Sequence, residues 1–174
     1  MELCMTGDTK ALHLVVMGVS GSGKSVIGLA LANALGADFI DADDLHPESS
    51  RSKMASGTPL TDEDRWPWLE KVGDQFSKDQ SLVIACSALK KIYRDRIRDH
   101  APDARFVLLE VPELQLKTRL EVRTDHFMPP SLLKSQLDLL EKLSDDEDGI
   151  TVSNQGAVDD VVKSAIRSLQ SLKK

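Results

Sequence analysis

The strongest structural signal in this chain is the stretch Gly18-Val19-Ser20-Gly21-Ser22-Gly23-Lys24-Ser25. It fits the phosphate-binding pattern G-x-x-x-x-G-K-[ST] at every fixed position. An apolar run of strand length, 12–17, precedes it, and a stretch rich in Ala, Leu and Ile, 26–35, follows it as a predicted helix. Because glycines let the backbone fold around a phosphate with several N–H groups aimed inward, this strand–loop–helix order predicts a nucleotide phosphate site.

Two side chains of the loop have predicted roles in nucleotide binding. The Lys24 ammonium would reach the β- and γ-phosphates, and the Ser25 hydroxyl would ligate magnesium. The helix that begins near Lys24 adds the positive end of its dipole to the same site. The predicted nucleotide-binding residues of this segment are Gly18, Ser20, Gly21, Ser22, Gly23, Lys24, Ser25 and Val26.

Short apolar runs alternate with helical patterns along the rest of the chain, which predicts βα units around a parallel sheet. The predicted strands are 12–17, 38–40, 82–86, 106–111 and 149–152, and the predicted helices are 25–35, 62–76, 89–98, 112–122, 130–143 and 157–172. The stretch 41–61 is polar and less regular, and Pro129-Pro130 interrupts the pattern where a lid would hinge.

These patterns predict an α/β chain with the three-layer αβα P-loop NTPase fold, a central five-stranded parallel sheet and a mobile lid. We expect one P-loop domain over 1–174, with a flexible tail over 1–10 and the lid over about 119–135.

Composition is ordinary for a globular protein: 41% of the 174 residues are hydrophobic and 29% are charged. The formal net charge of −6 argues against a nucleic-acid partner, and no apolar run approaches the roughly 20 residues of a membrane span. We expect a cytoplasmic protein, because the polar N-terminus has no signal-peptide layout and Cys4 and Cys86 lie far apart. The acidic run 145–148 is predicted to be a solvated turn.

A pair of acids distinguishes this chain from other phosphate-loop proteins. It has no Asn/Thr-Lys-x-Asp tetrapeptide for reading guanine, and the apolar run 82–85 is followed by Cys86-Ser87 rather than by an acid. The acids follow the second predicted strand instead, as Asp41 and Asp43. Because ligands gather at the carboxyl ends of strands in such sheets, one of these two acids is predicted to support magnesium and the other to accept a proton from an attacking hydroxyl.

Basic residues supply the charge that phosphate or an acidic substrate needs. Arg119 and Arg123 lie four residues apart on one face of the helix that leads to the predicted lid, where they would close over the transferring phosphate. The other cations predicted near this crevice are His46, Lys53, Arg65 and Arg94.

Taken in order, these pieces resemble the gluconokinase family of small phosphate-loop kinases, which is related in fold to shikimate kinase and adenylate kinase. The phosphate loop alone is shared by many kinases, so the resemblance depends on the later segments. They are Asp41-Ala42-Asp43-Asp44-Leu45-His46-Pro47, the run from Lys53 to Leu69, Cys86-Ser87-Ala88-Leu89-Lys90 with Tyr93-Arg94, and Arg123-Thr124-Asp125-His126-Phe127-Met128-Pro129 with Ser135-Gln136.

The resemblance implies transfer of the γ-phosphoryl group of ATP to the 6-hydroxyl of D-gluconate, with Mg²⁺ as cofactor and a homodimer as the assembly. It implies that Lys24, Asp43 and Arg123 are catalytic. The magnesium ligands would be Ser25 and Asp41, and Arg119 with Arg123 would hold the phosphates. The gluconate pocket would contain Asp43, His46, Lys53, Arg65, Ser87, Lys90, Arg94 and His126.

Three positions depart from the family pattern: Ala42 and Asp125 stand where Gly is frequent, and Ser50 stands where many members have Asn. None of these removes a group that phosphoryl transfer needs. Two alternatives stay open at this point. One is a kinase for another small polyhydroxy acid such as shikimate, and the other is a non-catalytic nucleotide-binding interaction protein.

Overall fold

Five parallel strands form the central sheet in the computed structural model, which describes residues 10–77, 79–123 and 130–172. They are β1 (His13–Met17), β2 (Asp38–Asp41), β3 (Leu82–Ala85), β4 (Arg105–Glu110) and β5 (Gly149–Ser153). Their order is β2-β3-β1-β4-β5, and every neighbouring pair is parallel. The predicted five-stranded parallel sheet is confirmed. Since β2 and β3 lie on one side of β1 and β4 and β5 on the other, a ligand crevice is expected outside the carboxyl end of β1.

Helices cover both faces of this sheet. They are α1 (Lys24–Leu35), α2 (Glu48–Ala55), α3 (Asp62–Asp74), α4 (Lys91–His100), α5 (Glu113–Val122), α6 (Pro130–Leu139) and α7 (Val158–Ser171). A 3₁₀ turn, Ala42–Leu45, directly follows β2. Among the described residues, no helix combines the length and the apolar character needed to cross a membrane.

The side chains of β1 alternate between two buried clusters. Leu14 and Val16 pack in the cluster that includes residues of α1 and α7. Val15 and Met17 pack on the other face, in a cluster that includes residues of α3 and α4. A third cluster joins the phosphate loop to α5 and α6 through Val19, Leu116 and Leu133. The phosphate loop is therefore held by β1, which it follows, and by apolar contacts with α5 and α6, the helices that flank the predicted lid.

Two predictions differ from the structure by more than two residues. The stretch 41–61, predicted to be irregular, contains α2, which sequence periodicity misses because Ser50 is its only buried residue. The helix predicted over 130–143 ends at Leu139. Beyond it, Glu141 N donates to Leu89 O, and the Arg94 guanidinium binds the carbonyl oxygens of Glu141 and Lys142. Tertiary hydrogen bonds therefore replace those of the helix.

The predicted lid lies only partly within the structure described. Its core, 124–129, is outside the described residues, as are most of the predicted tail and Lys78. The flanking helices α5 and α6 are described, and lid motion stays a prediction.

Candidate active site

The phosphate loop lies between β1 and α1, as predicted. Gly21 and Gly23 have φ of +80° and +92°, a region that L-residues with side chains rarely adopt. At Gly23 a Cβ would also lie 2.4 Å from the Asn154 amide nitrogen. Within the described part of the chain no side chain caps α1, so the N–H groups of its first turn are open to an anion.

Lys24 points back over the loop, where its Nζ donates to Val19 O at 3.0 Å. Burial lowers the pKa of Lys24, while the carboxylates of Asp43 and Asp41 act in the opposite direction. The Arg123 charge adds to the lowering of this pKa, which places Arg123 in the electric field of the same site. Bound phosphate would add negative charge beside Lys24 and hold its proton more tightly.

The two predicted acids lie beside the loop and are linked to each other. Ser25 Oγ donates to Asp41 Oδ2 at 2.5 Å, and Asp43 N donates to Asp41 Oδ1 at 3.0 Å. Asp41 thus caps the 3₁₀ turn that carries Asp43 and fixes it next to the start of α1. Asp43 lines the adjoining cavity.

The Ser25 hydroxyl and the Asp41 carboxylate suit Mg²⁺, which prefers oxygen ligands and usually binds one or two carboxylates together with substrate phosphates. In residues 10–77, 79–123 and 130–172, no group of three His, Cys, Asp or Glu side chains could hold a metal ion by itself. This donor set fits an ion that completes its coordination with nucleotide phosphates and water.

Two side chains from distant elements brace the loop. Arg119 of α5 donates to Gly21 O at 3.3 Å and to Asn154 O at 2.7 Å. Asn154, which follows β5, is buried and donates through its amide to Ser22 O at 2.7 Å. Arg119 is thus brought to the loop as predicted. Asn154 was missed, although a polar residue directly after a parallel strand is the same signal that identified Asp41.

A cavity of about 390 Å³ opens beside Lys24 and Asp43. Five separate parts of the chain form its walls, namely the phosphate loop, the 43–60 region, the first half of α3, the segment 87–89 and α6. Of the predicted substrate-binding residues, Asp43, His46, Arg65 and Ser87 line it. Its position next to the phosphate loop makes it the candidate acceptor pocket.

His46 forms part of a rigid wall of this cavity. Its ring stacks on Trp68 with centroids 3.9 Å apart, and Trp68 Nε1 donates to Ala42 O at 2.7 Å. Burial, followed by the charges of Arg51 and Arg65, lowers the pKa of His46 to about 4. The ring is therefore neutral at physiological pH. Its Nδ1 is buried without a hydrogen-bond partner among the described residues.

Lys53 and Lys90, predicted to contact substrate, do not line the cavity. Lys53 Nζ lies 2.8 Å from both carboxylate oxygens of Asp64, and Lys90 Nζ lies 3.2 Å from Asp62 Oδ1. The Lys53 hydrogen bond lowers the pKa of Asp64 to about 2. Both lysines therefore support α3 behind the cavity wall, because acids of its first turn have already neutralised their charge.

The substrate-binding role predicted for Arg94 is wrong. Its side chain is fully buried and pairs with buried Glu147, with Nε to Oε1 at 2.6 Å and Nη2 to Oε2 at 2.9 Å. Burial acts to raise the pKa of Glu147, but the hydrogen bonds from Arg94 and Ser144 and the Arg94 charge together lower this pKa to about 2. The prediction that 145–148 is a solvated turn is likewise wrong for Glu147.

Arg94 instead holds the acceptor pocket together from behind. Its Nη1 donates to Ala88 O at 3.1 Å and to Leu89 O at 3.2 Å, on the segment that lines the cavity. The same guanidinium binds the carbonyl oxygens of Glu141 and Lys142, just after α6. Two walls of the pocket are thus joined by one buried cation.

Three further side chains complete the description. His126, predicted to lie on the lid, is outside the described residues. Gln136 of α6 accepts from Ser20 N at 2.7 Å, so α6 touches both the phosphate loop and the cavity. Arg51 also lines the cavity and was missed. Without a predicted helix over Glu48–Ala55, nothing in the sequence indicated which way Arg51 would face.

Comparison with known proteins shows that this chain is similar to small kinases. The family model described as shikimate kinase matches residues 20–169. The chain is 43% identical over 166 residues to the gluconokinase of Gluconobacter oxydans, covering 93% of each chain. It is 46% identical to the thermosensitive gluconokinase of Escherichia coli, covering 78% of this chain and 75% of that one. The crystal structure of a gluconokinase from Sinorhizobium meliloti superposes with a TM-score of 0.85 at 44% identity, covering 92% and 93% of the two chains.

Proposed function

The chain belongs to the gluconokinase family, and on that basis we propose that it transfers the γ-phosphoryl group of ATP to the 6-hydroxyl of D-gluconate, giving 6-phospho-D-gluconate. It is an ATP-dependent kinase. The observation that carries the assignment of chemistry is the position of Asp43. This acid lines the acceptor cavity and also acts on the pKa of Lys24 in the phosphate loop.

Asp43 is the proton acceptor in this proposal. The acceptor hydroxyl lies against the Asp43 carboxylate, which orients its oxygen toward the γ-phosphorus and takes its proton as the new P–O bond forms. The bond between the γ-phosphorus and the bridging oxygen of ADP breaks, and ADP leaves with that electron pair. The Asp41 hydrogen bond to Asp43 N fixes the turn, so the carboxylate is held in place before substrate binds.

Lys24, Arg119 and Arg123 offset the negative charge that moves toward the leaving ADP. Lys24 lies in the loop, Arg119 reaches its backbone at Gly21, and Arg123 ends α5 on the same side. We assign Gly18, Ser20, Gly21, Ser22, Gly23, Ser25 and Val26 to nucleotide binding through the loop and the first turn of α1. Ser25 and Asp41 would hold Mg²⁺, which would supply further neutralisation of the phosphate charge.

Gluconate would occupy the cavity beside Asp43. His46, Arg65 and Ser87 lie on its walls. The proposed substrate contacts are therefore Asp43, His46, Arg65, Ser87 and, on the lid, His126.

The proposal also covers the domain organisation, compartment and assembly of the protein. We propose one kinase domain over 1–174 with a tail over 1–10 and a lid over about 119–135, working in the cytoplasm as a homodimer. No nucleic acid or membrane takes part in it. The net charge of −6 and the buried, unpaired thiol of Cys86 support this setting.

A panel of acceptors tests the function. Purified protein with MgATP is given gluconate, shikimate or other aldonates, and ADP release and phosphorylated product are followed. Gluconate is expected to have the highest kcat/KM. Turnover of shikimate without turnover of gluconate would replace this function by the shikimate alternative. Tight ATP binding with no phosphorylated acceptor would favour the non-catalytic one.

A further inference from the structure

Four side chains that line the acceptor cavity belong to basic residue types: Lys24, His46, Arg51 and Arg65. Lys24 belongs to the phosphate loop, and His46 is neutral because its pKa is about 4. Two guanidinium groups therefore remain to meet an anionic acceptor. They differ in how far the protein itself has already neutralised them.

Arg65 already has several partners in the protein. Its Nη1 donates to Leu60 O at 2.5 Å and to Tyr93 Oη at 3.2 Å, and lies 4.0 Å from Asp62 Oδ1. Its guanidinium also lies over the Tyr93 ring, 5.2 Å from the centroid. Arg65 is thus held in place against α4 and shares the Asp62 charge with Lys90.

Arg51 has only carbonyl partners. Its Nε donates to His46 O at 3.2 Å and its Nη2 donates to Asp44 O at 2.8 Å. Across the described ranges, no carboxylate forms an ion pair with it. A guanidinium carries five N–H donors, so two carbonyl bonds leave donors for a bidentate contact with a carboxylate. Arg51 therefore lines the cavity without a carboxylate in ion-pair contact among the described residues, although Asp43 and Asp44 line the same cavity.

The two carbonyl bonds also fix where that charge lies. They tie Arg51, on α2, to the turn that carries Asp43 and to the residue that stacks on Trp68. Anchoring a long side chain before the ligand arrives reduces the ordering cost of binding. The positive charge of Arg51 contributes to lowering the pKa of His46, so the guanidinium lies close to this wall of the pocket.

We propose that Arg51 is a specificity-determining residue whose guanidinium binds the carboxylate of the acid acceptor. This inference rests on the proposed function, since it assumes that a sugar acid occupies the cavity. It gives the pocket a means to prefer an acid over a neutral polyhydroxy compound of the same shape, and it assigns that preference to a residue outside the phosphate loop and outside α3.

The test compares D-gluconate with D-gluconamide, its neutral amide. Steady-state kcat/KM is measured for gluconate, and the inhibition constant of gluconamide against gluconate gives the affinity of the amide whether or not it is phosphorylated. The variants are Arg51→Met and Arg51→Lys. The matched control is Arg167→Met, which removes an exposed arginine from α7. Thermal melting verifies that each variant is folded.

Arg51→Met is expected to lower kcat/KM for gluconate by at least about tenfold and to change the gluconamide inhibition constant by less than about twofold. Arg51→Lys should keep part of the gluconate activity because it keeps the charge, and Arg167→Met should match the wild type. An equal loss for acid and amide would overturn the proposal, because it would mean that Arg51 only positions Asp44 and His46. Unchanged kinetics in Arg51→Met would overturn it as well. If the wild type phosphorylates no aldonate at all, the proposed function fails first, and that outcome is seen before any variant is made.

Discussion

The nucleotide side and the acceptor side of this site are built in different ways. The nucleotide side consists of the phosphate loop 18–25, braced by Arg119 and Asn154, and most of its ligand-facing groups are backbone N–H groups. The acceptor side consists of side chains from five separate parts of the chain around one cavity. A backbone cradle depends on local sequence, whereas an assembled cavity depends on the packing that brings its walls together.

The two sides are also held in place by different contacts. The loop is fixed by its own glycines and by direct hydrogen bonds to its carbonyl oxygens. The acceptor cavity is joined from behind by the buried pair of Arg94 and Glu147, which links the segment 87–89 to the end of α6. Substitution of Arg94 or Glu147 should therefore affect the acceptor cavity more than the phosphate loop.

The largest effect is expected from removing that pair. Arg94→Met should lower the free energy of unfolding by about 3–5 kcal/mol, because it leaves the Glu147 carboxylate buried without its cation. Variants that still fold should show a raised KM for gluconate and an unchanged KM for ATP. Chemical denaturation and steady-state kinetics measure the two effects.

The double variant Arg94→Met/Glu147→Leu is the matched control for this change. It leaves no buried charge, so it should be more stable than Arg94→Met alone. A loss of unfolding free energy below about 1 kcal/mol in the single variant would contradict the argument from the buried charge. Equal changes in both KM values would show that the nucleotide side and the acceptor side are not held separately.

The next largest effect is expected on the nucleotide side. Lys24→Met should lower kcat by about 10²–10³-fold, since it removes a cation aimed at the charge that develops on the phosphates. Lys71→Met, an exposed lysine of α3, serves as the control and should behave as wild type. Gluconate affinity, measured by calorimetry without nucleotide, should stay within about twofold of wild type in both variants. A loss of gluconate binding in Lys24→Met would contradict the separation.

A pH effect should appear on the acceptor side through His46. Its pKa is about 4 in the folded protein and 6.5 as an unperturbed group. Folding therefore excludes a proton that the unfolded chain binds, so this stability is present above pH 6.5 and is lost as the pH falls toward 4. The contribution amounts to about 2 kcal/mol between pH 7 and pH 5.

The variant His46→Phe isolates this effect, because phenylalanine can stack on Trp68 but does not titrate. Unfolding free energies of the variant should fall less steeply over that pH range than those of the wild type. Parallel pH dependences would mean that His46 titrates normally in the folded protein.

The smallest effect is expected from the brace on the phosphate loop. Asn154→Ala removes the bond to Ser22 O and should raise the KM for ATP by about fivefold, which corresponds to about 1 kcal/mol. The KM for gluconate should not change. Gln155→Ala removes the exposed neighbouring amide and should leave both KM values at their wild-type level. If Asn154→Ala instead weakens gluconate alone, Asn154 belongs to the other side of the site.

The same contrast explains how much the sequence could predict. The phosphate loop and the positions of the acids Asp41 and Asp43 were predicted from the sequence, and the five parallel strands were predicted to within about one residue at each end, because each depends on neighbours in the chain. Arg94 was misplaced because its burial depends on Glu147, 53 residues away. The sequence indicated which basic residues follow the strands and the acid pair, but only packing decides which of them face the crevice. Arg51 was missed for the complementary reason, since polar α2 has no apolar periodicity to place it.

Asp43 is where the two sides meet, and the variant Asp43→Asn tests the account most directly. The measurement pairs kcat with gluconate and the Kd of ATP on the same preparation, beside the exposed control Asp159→Asn. The account predicts that kcat falls by about 10²–10⁴-fold while the Kd of ATP stays within about twofold of wild type. Wild-type turnover in Asp43→Asn, or a parallel loss of ATP affinity, would contradict it.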